Sequence, residues 1–117
     1  MQNDLTLKHA IIGIAEEHRG KENAIHINDA IEIIAQRTGL YIQHSTFREI
    51  ARELFDEGYN FVSIVPDGFF MAIRVEELED VARQNSRRFA SGFRHVKAVN
   101  QRIADWKTPE KQLAFTV

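Results

Sequence analysis

A chain of 117 residues with 44% hydrophobic content can bury one small core, so a single domain is expected. It contains no cysteine, which excludes a disulfide scaffold, a cysteine nucleophile and cysteine-based zinc sites, and fits a reducing compartment. The net charge of −2 conceals a split: residues 1–80 carry 7 Lys and Arg against 15 Asp and Glu, a balance of −8, whereas residues 81–117 carry 8 against 2, a balance of +6. Asymmetry of this kind points to a polyanion or an acidic partner for the basic part, or to neutralisation of one part by the other. The start of the chain is polar and no apolar run approaches 20 residues, so a soluble cytoplasmic protein without membrane contact is expected.

In chain order, the first element is a helix from about Leu7 to Glu17, with Leu7, Ala10, Ile11, Ile14 and Ala15 on one face and Thr6 or Asp4 as its cap. The polar loop Arg19-Gly20-Lys21-Glu22-Asn23 follows. Ala24 to Ile27 is long enough for a short strand that could pair with the later hairpin. Asn28 suits the N-cap of a second helix whose buried stripe is Ala30, Ile31, Ile34 and Ala35, and Thr38-Gly39 ends it. Leu40 to His44 reads as a turn with an insertion, Leu40 or Ile42 tucking into the core.

The third helix opens at Ser45 and Thr46, where Thr46 and Glu49 form a capping box. Its inward face is Phe47, Ile50, Leu54 and Phe55, leaving Arg48, Glu49, Arg52, Glu53 and Asp56 to solvent, and Gly58 stops it. Two short apolar runs, Phe61 to Val65 and Phe69 to Ile73, flank Pro66-Asp67-Gly68 and read as a hairpin. Helix, strand, helix, turn, helix, hairpin is the order of a winged helix-turn-helix domain, over residues 1–74. On that reading Ser45, Thr46, Arg48 and Arg52 face DNA. Arg48 and Arg52 can read guanine edges or pair with Glu49, Glu53 and Asp56.

From Val75 to Trp106, the positions Val75, Leu78, Ala82, Asn85, Phe89, Gly92, Val96, Val99, Ile103 and Trp106 follow gaps of three and four, a heptad seam. A continuous helix over 75–107 needs a partner for that seam, and a second copy of the chain is the simplest one. The expected homodimer contacts are Leu78, Asn85, Phe89, Val96, Val99, Ile103 and Trp106. A helical hairpin broken at Gly92 is the rival. Off the seam, Arg83, Arg87, Arg88, Arg94, Lys97 and Arg102 form a basic strip, read either as a solvated face or a strip complementary to the acidic core of a partner subunit, or as a phosphate-contacting strip that carries sequence-tolerant DNA binding. The overall fold expected is α+β, mainly α: a winged helix-turn-helix domain, a long basic C-terminal helix and a tail over 108–117.

The loop Gly20-Lys21-Glu22-Asn23-Ala24-Ile25, the segment Phe47-Arg48-Glu49-Ile50 ending in Glu57-Gly58, the strand around Ser63, and Gly68-Phe69-Phe70-Met71-Ala72 before an acidic helix start together resemble the small winged-helix proteins encoded in the replication regions of bacteriophages and prophages. The resemblance covers roughly residues 7 to 103. It implies a non-enzymatic role on double-stranded DNA, in phage replication or transcription control within a bacterial host. Asp67 stands where a DNA-binding wing of that kind carries a basic residue, and from Ser45 to Glu57 there are 2 Arg against 4 acids. The acids of the recognition helix favour the alternative of a replication-machinery adaptor that kept the fold without DNA contacts, the basic C-terminal helix the DNA-binding one. In the tail, Gln112, Leu113 and Phe115 resemble the short peptides that dock replication proteins onto the sliding clamp; alternatively Leu113 and Phe115 pack back on the chain.

No cofactor or catalytic role is expected. His9, His18, His26, His44 and His95 lack metal-ligand spacing, the six glycines form no phosphate cradle, and no Ser or Thr sits in a nucleophile elbow.

Overall fold

A computed structural model describes residues 2–88 and 93–107, with side chains over 5–85 and 97–107. The chain divides into two compact units, residues 1–73 and 74–117. The described part is α+β and mainly helical, with one two-stranded antiparallel sheet.

The first unit is built from α1 (Gln2–Glu17), α2 (Ile27–Thr38), α3 (His44–Asp56), β1 (Phe61–Ile64) and β2 (Gly68–Met71), with a short 3-10 turn at Lys21–Asn23. Helix α1 buries Leu7, Ile11, Ile14 and Ala15, as the periodicity required. It starts earlier than expected, so Asp4 and Thr6 lie inside the helix rather than capping it. Helix α2 buries Ala30, Ile31 and Ile34, and Gly39, left-handed at φ 75°, closes it through an N–H to the Ala35 carbonyl at 2.8 Å. His26 occupies the N-cap position instead of Asn28, because the Ile25 backbone is committed to the sheet and the helix begins directly after it.

Helix α3 also begins early. Leu40 and Ile42 both pack against the core, which draws the connection out in extended form, and the Gln43 carbonyl then accepts the first helical bond from Phe47 N–H at 3.1 Å. Thr46 is therefore two residues inside the helix, and the capping box with Glu49 does not form. Phe47, Ala51, Leu54 and Phe55 are buried, with Ile50 half-buried. Gly58, at φ 112°, ends the element.

Strand β1 pairs with β2 in the register Phe61↔Met71, Val62↔Phe70, Ser63↔Phe69 and Ile64↔Gly68. The second edge of β2 is engaged as well. Ile25 and Phe69 exchange two backbone hydrogen bonds of 2.8 Å, while Met71 donates to the His18 carbonyl and accepts from Gly20 N–H, again at 2.8 Å. The short strand expected over Ala24 to Ile27 is thus reduced to one bridge at Ile25. Beneath it the ring of Phe69 stands edge-on to Phe47, centroids 4.9 Å apart, and Phe61 lies 5.5 Å from Phe69. These three aromatics join both strands to α3. Aromatic pairs in this geometry add to the stabilisation already given by burying the rings.

The second unit contains α4 (Val75–Arg88) and α5 (Phe93–Lys107), which pack against each other. Lys107, at the end of α5, reaches Glu79 in the first turns of α4 at 3.3 Å, so the helices run antiparallel. This corrects the continuous helix expected over 75–107. A straight helix cannot pack on itself, whereas a hairpin lets the two halves of the apolar seam cover one another within one chain. Leu78 and Val99 are fully buried, and Asn85, Ile103 and Trp106 are half-buried. Gly92, proposed as the break, and Phe89 lie outside the described residues. Glu77, almost wholly buried, accepts from the Arg74 backbone N–H at 3.2 Å, the third-position carboxylate half of a capping box.

Two predictions follow from packing. A Cβ on Gly68 would stand 2.7 Å from the Ile25 carbonyl carbon, whereas one on Gly58, at nearly the same φ, would meet nothing within 4 Å. Gly68→Ala should therefore cost more than Gly58→Ala by about 1 to 3 kcal/mol in urea unfolding, since clash is added to the shared backbone strain. Equal costs would show that the Ile25 contact is not tight. Val99→Asp should lower stability by about 3 kcal/mol or more, because a charge enters an apolar contact. Its sedimentation mass should equal that of the parent chain. A dimer that splits on this change would mean the seam is shared between chains.

Candidate nucleic-acid interface

The outward side of α3 is the most distinctive surface of the first unit. His44, Ser45, Arg48, Glu49, Arg52, Glu53 and Asp56 are all exposed, because Phe47, Ala51, Leu54 and Phe55 take the opposite side into the core. Thr46, half-buried, sits at the margin. At about 100° per residue, Arg48 and Arg52 project to one flank of Ser45, and Glu49, Glu53 and Asp56 to the other. The exposed face is split lengthwise by charge.

Among the described residues, neither Arg48 nor Arg52 takes part in an ion pair, although acids stand at helical spacing from both. The pairing with Glu49, Glu53 or Asp56 that the sequence allowed is not formed. Other cations are engaged. Lys8 pairs with Glu57 at the end of α3, and the Glu57 carboxylate raises the lysine pKa above 10.5. Arg37 pairs with Glu17 at 2.7 Å, and the hydrogen bond from its guanidinium holds the Glu17 carboxyl below its usual value.

Tyr41 is a further exposed residue beside this face. It is 74% exposed in the connection that enters α3, and its hydroxyl donates to Glu32 at 3.1 Å. The signal was there in the alternation of Leu40 and Ile42 inward with Tyr41 and Gln43 outward. The hairpin turn presents Val65, Pro66 and Asp67 to solvent, so its tip carries an acid and no cation.

The basic strip on the C-terminal helices divides. Arg83 is ion-paired with Asp80 on its own helix. Lys97 is exposed and Arg102 half-buried, and both have partners. Helices α4 and α5 carry Arg87, Arg88 and Arg94 on their backbones, but the side chains of these three and of Val96 lie outside the described set, as do Gln112, Leu113 and Phe115 of the tail. Among the described lysines and arginines, then, Arg48 and Arg52 of α3 are the two without a partner.

No cluster of three or more His, Asp or Glu able to hold a metal occurs among the described residues. Nor, among them, is any helix long and apolar enough to cross a membrane. No protein-family model, no curated protein and no solved structure matches the chain.

The Tyr41 contact can be tested by pH. The Glu32 carboxylate that accepts its hydrogen bond holds the phenol above the ordinary value of 10.0. A group raised on folding adds stability that is complete below its unfolded pKa and is lost as pH rises through the folded one. In a Tyr59→Phe background, ultraviolet titration of the remaining phenol should give a midpoint above 10.0. Glu32→Gln should bring that midpoint down; an unchanged one would mean the contact is absent in solution.

Proposed function

We propose that residues 1–73 form a winged helix-turn-helix module that binds duplex DNA without catalysis, with α3 entering the major groove and the β1–β2 hairpin as the wing. The order of α2, connection, α3 and hairpin supports this reading, and so does the packing of both strands onto α3 through Phe47, Phe61 and Phe69. The observation that carries it is the pair Arg48 and Arg52, exposed on one helix flank and, among the described residues, unpaired while nearby acids stand available. A guanidinium fork without a partner is suited to base edges or phosphates. In keeping with the motif order that resembles phage replication-region proteins, the role would lie in phage-type replication or transcription control.

The continuous heptad helix that called for a second copy is replaced by a hairpin in which Leu78 and Val99 are buried within the chain. One specific feature favours the second reading, a protein-binding adaptor: the acids Glu49, Glu53 and Asp56 on α3 and Asp67 at the hairpin tip would repel phosphate. Under that reading the same face would bind a basic protein surface, and the basic helices or the tail would engage other replication proteins.

Gel shifts with random duplex and a salt titration separate the two. DNA binding should appear at low salt, with a shallow fall of log affinity against log salt because few phosphates are neutralised. Arg48→Ala combined with Arg52→Ala should weaken it at least about tenfold while leaving the urea midpoint in place, since both side chains are exposed and unpaired. Absence of any shift at about 50 mM salt would sink the DNA reading in favour of the adaptor.

A further inference from the structure

Resting on the DNA-binding reading, we infer that the duplex α3 takes is one with guanines at neighbouring positions of one strand, and that base edges carry the recognition more than phosphates do. The first observation is the lengthwise charge split. A G·C pair is split the same way across the major groove, with the O6 and N7 acceptors on guanine and the N4 amino donor on cytosine. A helix lying along a run of such pairs, guanines on one strand, would meet acceptors with its Arg48 and Arg52 flank and donors with its Glu49 and Glu53 flank. An A·T run offers no such division, because adenine itself presents both a donor and an acceptor.

Spacing agrees. Arg48 and Arg52 are one turn apart, about 6 Å along the axis, which matches about two base-pair steps of roughly 3.4 Å. Both forks are free to bond bidentately, and the guanidinium presents its N–H groups in the plane that O6 and N7 require. Glu49 and Glu53, also one turn apart, repeat the spacing on the cytosine side.

Electrostatics point the same way. Residues 1–73 carry 6 Lys and Arg against 11 Asp and Glu, a balance of −5, so the phosphate term that supplies sequence-independent affinity is unfavourable for this unit. Carboxylates beside the arginines make a wrong sequence worse, since each then faces an acceptor or a phosphate with no donor to meet it. The helix face thus favours discrimination over general affinity.

The test enriches bound duplexes from a random pool with the full chain, then resynthesises the winner with 7-deazaguanine, which lacks the N7 acceptor. Enriched duplexes should contain two guanines on one strand within about three positions, and the deaza substitution should weaken binding at least about tenfold. Arg48→Lys with Arg52→Lys keeps the charge but not the fork, and should bind with the guanine preference lost. Enrichment without guanines, deaza binding within about twofold of the parent, or a guanine preference that survives the lysine variant would each overturn the inference while the DNA reading stood. Failure to enrich any duplex would remove both.

Discussion

The two hydrogen bonds between Ile25 and Phe69 hold the first unit in its arrangement. They join the segment between α1 and α2 to the hairpin that follows α3, so elements distant in sequence close around one core. They also decide what residues nearby can be. Gly68 must lack a side chain because the Ile25 carbonyl passes over it, and α2 begins at Ile27 because Ile25 is spent on the bridge. The ring of Phe69 turns the other way, onto Phe47, and so the contact that positions the hairpin also positions α3.

Helices and hairpin were legible in the sequence because each buries one side at its own period: Ile11 and Ile14 in α1, Ile31 and Ile34 in α2, and the alternating apolar runs around Pro66-Asp67-Gly68. Helix starts were not legible. Thr46 and Asn28 have good cap chemistry, yet tertiary contacts at Leu40, Ile42 and Ile25 set the true starts, and a cap worth about 1 kcal/mol yields to several buried side chains. The heptad seam was real as a pattern but silent about its partner. Leu78 and Val99 satisfy the same spacing whether they meet another chain or the other arm of a hairpin.

The site divides in the same manner. That Arg48 and Arg52 face outward follows from the burial of Phe47, Ala51 and Leu54. Whether they pair with neighbouring acids could not be read from spacing, because exposed pairs at helical distance contribute little and side-chain entropy decides them. Tyr41 escaped notice because a turn with an insertion hides the alternation that sends it outward. The cations of the basic strip looked equivalent in sequence, but Arg83 answers to Asp80.

The two units also differ in how far the chain must travel to make its contacts. In the second, Glu77 caps the first turn of its own helix and Lys107 meets Glu79 only 28 positions away. In the first, residues 25 and 69, and 19 and 71, must find each other across more than forty positions. Closing a long loop costs entropy before any contact repays it, and local hairpins close fast. The second unit can therefore assemble from its own sequence at an early stage, while the first waits for the hairpin to capture the strand segment ahead of α2. For a chain made from its N-terminus, the unit begun first is the one that needs its own last residues to finish.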